Sequence, residues 1–203
     1  MRTLSRLPFT LAFLSVMVLA NWLAGTWGGV LPPAALTDWG LSHQSLVDGE
    51  AFRLITGTYL SHDLGMALRQ LCFAAVVIGA YEWTEGTCRA IVLFYTIDIL
   101  GSLLVLFGVL PLLVAMPIAI TEAELVVFDV GMSAGGFGLL GALAYQSRYR
   151  WVGLLVILLA ICAKMLISFE PIADTAHLLC LGLGVLGQSH LPKGRRVMPC
   201  AER

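Results

Sequence analysis

Six long apolar stretches constrain the fold of this 203-residue chain more than any other feature of its sequence. Hydrophobic residues make up 59% of the chain and charged residues only 12%, so the chain lacks the polar surface that a water-soluble fold needs. A helix requires about 20 apolar residues to cross a bilayer, whereas barrel strands would show short alternating segments. The stretches do not alternate, and the sequence therefore predicts an all-α membrane protein with six transmembrane helices. They run approximately over residues 8–25, 60–83, 90–110, 131–146, 151–168 and 172–188.

A further apolar region, residues 111–128, is predicted to be a loop at the membrane interface, with a seventh span as the alternative. Prolines interrupt helices, and acidic groups are costly inside hydrocarbon. No linker, low-complexity tract or internal repeat divides the chain, so we expect a single domain over residues 1–203. The prolines and acids that favour the loop are Pro111, Pro117, Glu122, Glu124 and Asp129.

The positions of lysine and arginine predict the orientation, because cytoplasmic loops carry an excess of both. In a six-span arrangement the opposite, outer loops contain only Arg53. Both termini are therefore predicted to be cytoplasmic. The basic residues that fall on the cytoplasmic side are Arg2, Arg6, Arg89, Arg148, Arg150, Lys193, Arg195, Arg196 and Arg203.

Residues 1–25 also have the pattern of a signal peptide, because basic residues precede an apolar run. Asn21-Trp22-Leu23, at the end of that run, lacks the small residues of a cleavage site. Removal would also break the alternation of charge across the remaining spans. We therefore expect this segment to be the first transmembrane helix.

The sequence predicts no metal, cofactor or nucleic acid. Five cysteines are scattered without the spacing of a metal site or a disulfide framework, so we expect them to be small buried hydrophobic residues. The net charge is −1, and no basic stripe indicates a nucleic-acid surface.

Two polar residues begin apolar helices near the same predicted face of the membrane. Ser133 lies in a glycine-rich segment whose small residues let helix backbones approach closely. His177 lies near the start of the sixth helix, and an ionisable group in a membrane helix is a candidate functional residue. Helices 4 and 6 both enter from the outer side, so Ser133 and His177 lie at similar depth. Since a neutral imidazole within about 3 Å activates a serine hydroxyl, the pair predicts a Ser-His dyad.

Three segments of the sequence resemble motifs of the rhomboid intramembrane serine proteases, and the similarity covers most of the chain. The resemblance implies a six-helix rhomboid-like bundle in which Ser133 is the nucleophile and His177 the general base. It also implies that Gly141 and Gly184 pack helix 4 against helix 6. The segments are Phe52-Arg53-Leu54-Ile55-Thr56-Gly57, Gly131-Met132-Ser133-Ala134, and Ala176-His177 followed by Gly184.

The resemblance also implies partners and a location. The implied partners are the surrounding lipid and the transmembrane segments of other membrane proteins, which are cleaved near the outer face. The short chain resembles a minimal bacterial form, which implies a multi-pass protein of the cell membrane, in bacteria the inner membrane. The small size of the chain also suggests a rhombosortase-like specialisation, in which a C-terminal membrane anchor that carries Gly-Gly is trimmed from exported proteins.

The sequence departs from the family pattern around the expected oxyanion site. Met66 and Gln70 occupy the places of the family's histidine and asparagine on helix 2, and Gly131 is the third residue expected at this site. A methionine donates no hydrogen bond, whereas the Gln70 amide does. Phe137 replaces the family's tyrosine under the histidine. The loss of one oxyanion donor lowers a rate by about 10²–10³ without abolishing it.

Three interpretations remain open from the sequence. The chain is an active rhomboid-type peptidase, a catalytically silent rhomboid-like protein that binds transmembrane helices, or an unrelated small transporter or scaffold. Lys164 is an alternative base for a Ser-Lys pair, although its position near a helix end is typical of a lysine that reaches to water.

Two charged residues within the predicted spans, Arg69 and Asp98, are expected to form a contact. Their predicted depths differ by about one helical turn, and sequential helices are usually neighbours. In the alternative, Arg69 reaches into the water of the site while Asp98 is protonated or bonds Ser102 on its own helix. Pairing would offset the cost of burying each charge in hydrocarbon.

Overall fold

The computed structural model describes residues 6–116 and 122–191, and within these ranges the chain folds mainly into helices. The described residues contain no β-strand, only two isolated bridges. Predictions that involve Arg2, Pro117 and the basic residues of the C-terminal tail fall outside the described residues. The α-helices are α1 (Pro8–Ala24), α2 (Pro33–Trp39), α3 (His43–Val47), α4 (Arg53–Thr56), α5 (Leu64–Glu85), α6 (Thr87–Leu104), α7 (Leu110–Ala115), α8 (Ser133–Gln146), α9 (Arg150–Ile167) and α10 (Pro171–His190).

Within the described residues, three helical segments are long and apolar enough to cross a membrane. They are α5 with 22 residues, the continuous segment Thr87–Ala115 with 29, and α9 with 18. The chain is therefore an all-helical membrane protein. The apolar helix α1 has 17 residues and α8 has 14, fewer than the roughly 20 of a full span.

The loop predicted for residues 111–128 begins later than expected. A π turn over Val105–Val109 joins α6 to α7, so the helical segment continues to Ala115. Pro111 is the second residue of α7, which follows the π turn directly, so the helix changes its hydrogen-bond register just before the missing backbone N–H. The prediction that this proline ends the helix is therefore wrong.

The main hydrophobic core lies where α1, α5, α6 and α8 meet. Phe13 of α1 packs edge to face on Phe94 of α6, with ring centroids 5.0 Å apart. Because α1 supplies side chains to this core, it is integrated with the later helices. The largest fully buried apolar members are Phe13, Met17, Ile78, Tyr81, Phe94, Met132 and Leu139.

Glycines allow α8 and α10 to cross in close contact. A side-chain carbon at Gly184 would overlap the backbone of Gly138, and one at Gly141 would overlap the carbonyl of Leu181. Only glycine leaves room for backbones at this separation. The crossing holds α10, and with it His177, at a fixed place beside α8.

A buried glutamate joins three helix ends on the side of the bundle opposite Ser133. Glu82, near the end of α5, accepts hydrogen bonds from the backbone N–H groups of Phe9 and Thr10 at 2.9 and 2.8 Å. Its carboxylate also accepts from the hydroxyls of Thr10 and Thr87, each at 2.7 Å. A negative group at a helix N-terminus satisfies the unpaired N–H groups there, so Glu82 fastens α1 and α6 to α5.

The cysteines were expected to be small buried hydrophobic residues, and among the described residues only Cys180 fits, as a fully buried free thiol. Cys72 and Cys162 are also free thiols, but both are exposed. Cys88, at the start of α6, is disulfide-bonded. The expectation is therefore wrong for Cys72, Cys88 and Cys162, and Cys200 lies outside the described residues.

Candidate functional site

The candidate site is an open cavity of about 920 Å³ lined by α5, α8, α9, the start of α10 and the segment before α8. Ser133 lies between it and a smaller cavity of about 40 Å³ that Gly131 also lines. Gly141 and Gly184 lie at the α8–α10 crossing and line neither cavity. The predicted site residues that line the larger cavity are Ser133, His177, Gln70, Met66 and Phe137.

Ser133 is the first residue of α8. The first N–H groups of a helix have no partner within the helix. Among the described residues, the N–H of Gly135 is bound by Asp98 and that of Gly136 by Met132, whereas the N–H of Ser133 makes no hydrogen bond. The serine thus combines a hydroxyl with an unoccupied backbone donor at the end of a helix dipole.

His177 lies on the second turn of α10 and stacks on Phe137. The two ring centroids are 4.2 Å apart, with an angle of 27° between the planes. Phe137 lies one turn after Ser133 on the same face of α8. The stack therefore holds the imidazole on the face of α8 that carries the Ser133 hydroxyl. Nε2 of His177 is buried and has no hydrogen-bond partner among the described residues, so no hydrogen bond joins it to Ser133.

Gln70 directs its amide nitrogen toward the segment before Ser133. Its Oε1 accepts a hydrogen bond from the hydroxyl of Ser61 at 2.8 Å. The Nε2 end lies against Gly131, where any side-chain carbon would overlap it. Gly131 also has φ +132°, a backbone conformation that favours glycine. A donor group is therefore held next to the backbone that leads into Ser133.

Met66 contributes no donor to the cavity. Its sulfur accepts a hydrogen bond from the backbone N–H of His62 at 3.4 Å. Its methyl group lies near Gly131, beside the Gln70 amide. Met66 therefore supplies apolar surface at the place to which the resemblance assigns a polar side chain.

The predicted contact between Arg69 and Asp98 is wrong. Asp98 is buried, and its carboxylate accepts from the hydroxyl of Thr58 at 2.7 Å and from the N–H of Gly135 at 2.8 Å. Arg69 is exposed and lines the larger cavity. A helix N-terminus satisfies the carboxylate in place of the arginine, and Ser102 is not its partner either.

Lys164 is held by two carboxylates at the edge of the cavity. Its Nζ donates to Oδ1 of the fully buried Asp174 at 2.8 Å and lies 3.2 Å from Oε2 of Glu170. The second Asp174 oxygen accepts from the backbone N–H of Glu170. This network fixes the turn between α9 and α10, and Lys164 makes no bond to Ser133 among the described residues.

His62 links the segment before α5 to the segment before α8. Its Nε2 lies 3.7 Å from Oδ1 of Asp129. The facing Asp129 carboxylate raises the pKa of His62 above its ordinary value, against a smaller opposing effect of burial. The charged pair therefore stabilises the link at low pH and is lost as the pH rises through the raised pKa.

Comparison with known proteins gives no family assignment. No model of a known protein family matches the chain, and no curated protein sequence matches it.

Three contributors to the site were missed from the sequence: Ser61, Asp174 and the contacts of Asp98. Each acts through a partner on another helix or loop. The start of α5, by contrast, has a signal in the local sequence. Asp63 is typical of a helix N-cap, and its carboxylate accepts a hydrogen bond from the backbone N–H of Met66, three residues later.

No cluster of three or more metal-binding side chains is present in the described ranges.

Proposed function

We propose that this chain is an intramembrane serine endopeptidase of the rhomboid type, which cleaves transmembrane segments of other membrane proteins near the outer face. One observation carries the proposal. Ser133 on α8 and His177 on α10 line the same cavity, and the buried Nε2 of His177 has no other partner among the described residues. A buried polar atom without a partner is costly. The hydroxyl of Ser133 is a suitable partner, because it can donate its proton to Nε2 of His177.

In the proposed mechanism, Nε2 of His177 takes the proton of Ser133 as Oγ attacks the scissile carbonyl carbon. The oxyanion that forms is stabilised by the free N–H of Ser133 and by the amide of Gln70. The imidazolium then gives its proton to the leaving amine, and the C–N bond breaks. A water molecule, deprotonated by His177, hydrolyses the acyl-enzyme and restores Ser133.

The membrane arrangement proposed with this function has six spans and both termini in the cytoplasm. The distribution of lysine and arginine supports it. The position of Glu82 supports it as well, because the start of α1, the end of α5 and the start of α6 lie at one level, as two successive crossings require. The proposed location is the cell membrane, and for a bacterial source the inner membrane.

A second candidate function is binding without catalysis, in which the chain holds transmembrane helices of client proteins. Two observations favour it. His177 and Ser133 are not hydrogen-bonded, and Met66 offers no donor to an oxyanion. The cavity would then serve as a binding surface only.

The deciding experiment is labelling of the purified full chain with a serine-directed fluorophosphonate. The unmodified protein should be labelled, whereas Ser133→Ala should not be, and His177→Ala should be labelled at least 10²-fold more slowly. Ser102→Ala is the matched control, because Ser102 lines the small cavity near Ser133 and should leave labelling unchanged. Equal labelling of Ser133→Ala, or none of the unmodified protein, would favour the binding function.

A further inference from the structure

Ser61, which the proposed mechanism does not use, makes its one side-chain hydrogen bond within the described residues to Gln70. Its hydroxyl donates to Oε1 at 2.8 Å. Ser61 is 0% exposed, and it lies in the turn just before α5. The hydroxyl therefore has no solvent to bond in place of Gln70.

This single bond determines which end of the Gln70 amide lies against Gly131. A glutamine amide can turn by half a rotation and exchange its oxygen and nitrogen with little change in shape. In the turned state Ser61 would accept from Nε2, and its own buried hydrogen would have no acceptor. Because an unpaired buried donor is costly, Ser61 favours the orientation that directs Nε2 away from itself.

The space that Nε2 enters exists only because residue 131 is glycine. A side-chain carbon there would overlap Nε2, and φ is +132°. Gly131 lies two residues before Ser133, and both line the small cavity. The amide donor is therefore fixed at one end by Ser61 and placed at the other beside the nucleophile's own segment.

We propose that Ser61 is a positioning residue that keeps the donor end of Gln70 directed at the developing oxyanion. The proposal rests on the proposed peptidase function and deepens it. Ser61 does not touch the substrate, and all of its effect passes through Gln70. Loss of its hydroxyl leaves the amide free to present its oxygen, which repels an oxyanion.

The test is the rate at which the fluorophosphonate labels Ser133 in the full chain. Gln70→Ala should slow labelling by about 10²-fold, and Ser61→Ala by between tenfold and that value. The double variant should be no slower than Gln70→Ala alone, because Ser61 acts only through Gln70. Ser61→Cys, close in size and with a weak donor, should be intermediate, and it serves if Ser61→Ala does not fold.

Ser42→Ala is the matched structural control. Ser42 is also 0% exposed, and its hydroxyl caps α3 while lining neither cavity. It should lower thermal stability as Ser61→Ala does, yet leave the labelling rate unchanged. Comparison of Ser61→Ala with Ser42→Ala therefore distinguishes a positioning role from a merely structural one.

Two kinds of result would overturn the proposal, and they differ. If the unmodified protein is labelled at Ser133 and Ser61→Ala matches it, or if the Ser61 and Gln70 effects multiply in full, the positioning role is wrong and the peptidase function stands. If Ser133 is not labelled at all, the peptidase function itself fails, and the role of Ser61 fails with it.

Discussion

Single atoms decide the chemistry of the cavity at the residue scale. Gln70 presents nitrogen to the segment before Ser133 and oxygen to Ser61. Met66, one turn earlier on α5, offers only a methyl group and a sulfur. The proposed mechanism therefore assigns the oxyanion two donors, one amide nitrogen and the backbone N–H of Ser133.

Gln70→Glu is predicted to impair labelling at least as strongly as Gln70→Ala. The carboxylate keeps the shape of the amide and still accepts from Ser61, but it presents an acceptor oxygen where the donor stood. Fluorophosphonate labelling of Ser133 should fall by about 10²-fold or more. A glutamate variant that labels faster than the alanine variant would show that this end of the side chain does not face the oxyanion.

Local sequence patterns singled out Ser133 and His177, and the resemblance to the rhomboid motifs pointed to Gln70. The structure brings all three to one cavity. It could not find the partners of Asp98. Thr58 and Gly135 lie 40 and 37 residues away, so no periodicity within a helix connects them. The contact between Arg69 and Asp98 was predicted from their similar depths in the membrane. That argument ignored helix ends, where backbone N–H groups satisfy a carboxylate without any cation.

Helix ends and helix crossings carry the fold at the element scale. The long helices α1, α5, α8, α9 and α10 begin and end within about five residues of the apolar stretches, because lipid-sized hydrophobic runs are a strong signal. The short helices α2, α3 and α4 were not predicted, because they lie outside these runs. The third stretch differs at its end, where the π turn at Val105–Val109 carries the helix past Pro111.

Gly184→Ala is predicted to destabilise the protein by about 3 kcal/mol, at the upper end of overpacking costs, because the new methyl group overlaps the backbone of Gly138. The α8–α10 crossing must then widen and move His177 from Phe137. Gly182→Ala is the matched control, since no atom lies within 4 Å of the added carbon and alanine favours helix. Unfolding in detergent should distinguish the two. Equal stability would mean that the helices can separate at no cost.

The proposed six-span topology makes a prediction for the whole molecule. Reporter fusions or single-cysteine labelling should place Arg148 and residue 203 in the cytoplasm, and Asp48 and Glu122 outside. The reason is the excess of lysine and arginine on one side of the predicted spans. A cytoplasmic Asp48 or an external C-terminus would contradict this arrangement and, with it, the entry of α8 and α10 from the outer face.

The carboxylate of Glu82 has a consequence for biosynthesis. The backbone N–H of Phe9 is made early, but its acceptor lies 73 residues further along the chain. Thr87, which shares that acceptor, follows five residues later. Because chains are synthesised from the N-terminus, α1 leaves the ribosome before α5 and waits with unpaired N–H groups until α5 has been inserted. The position of α1 is thus fixed only when the later helix arrives.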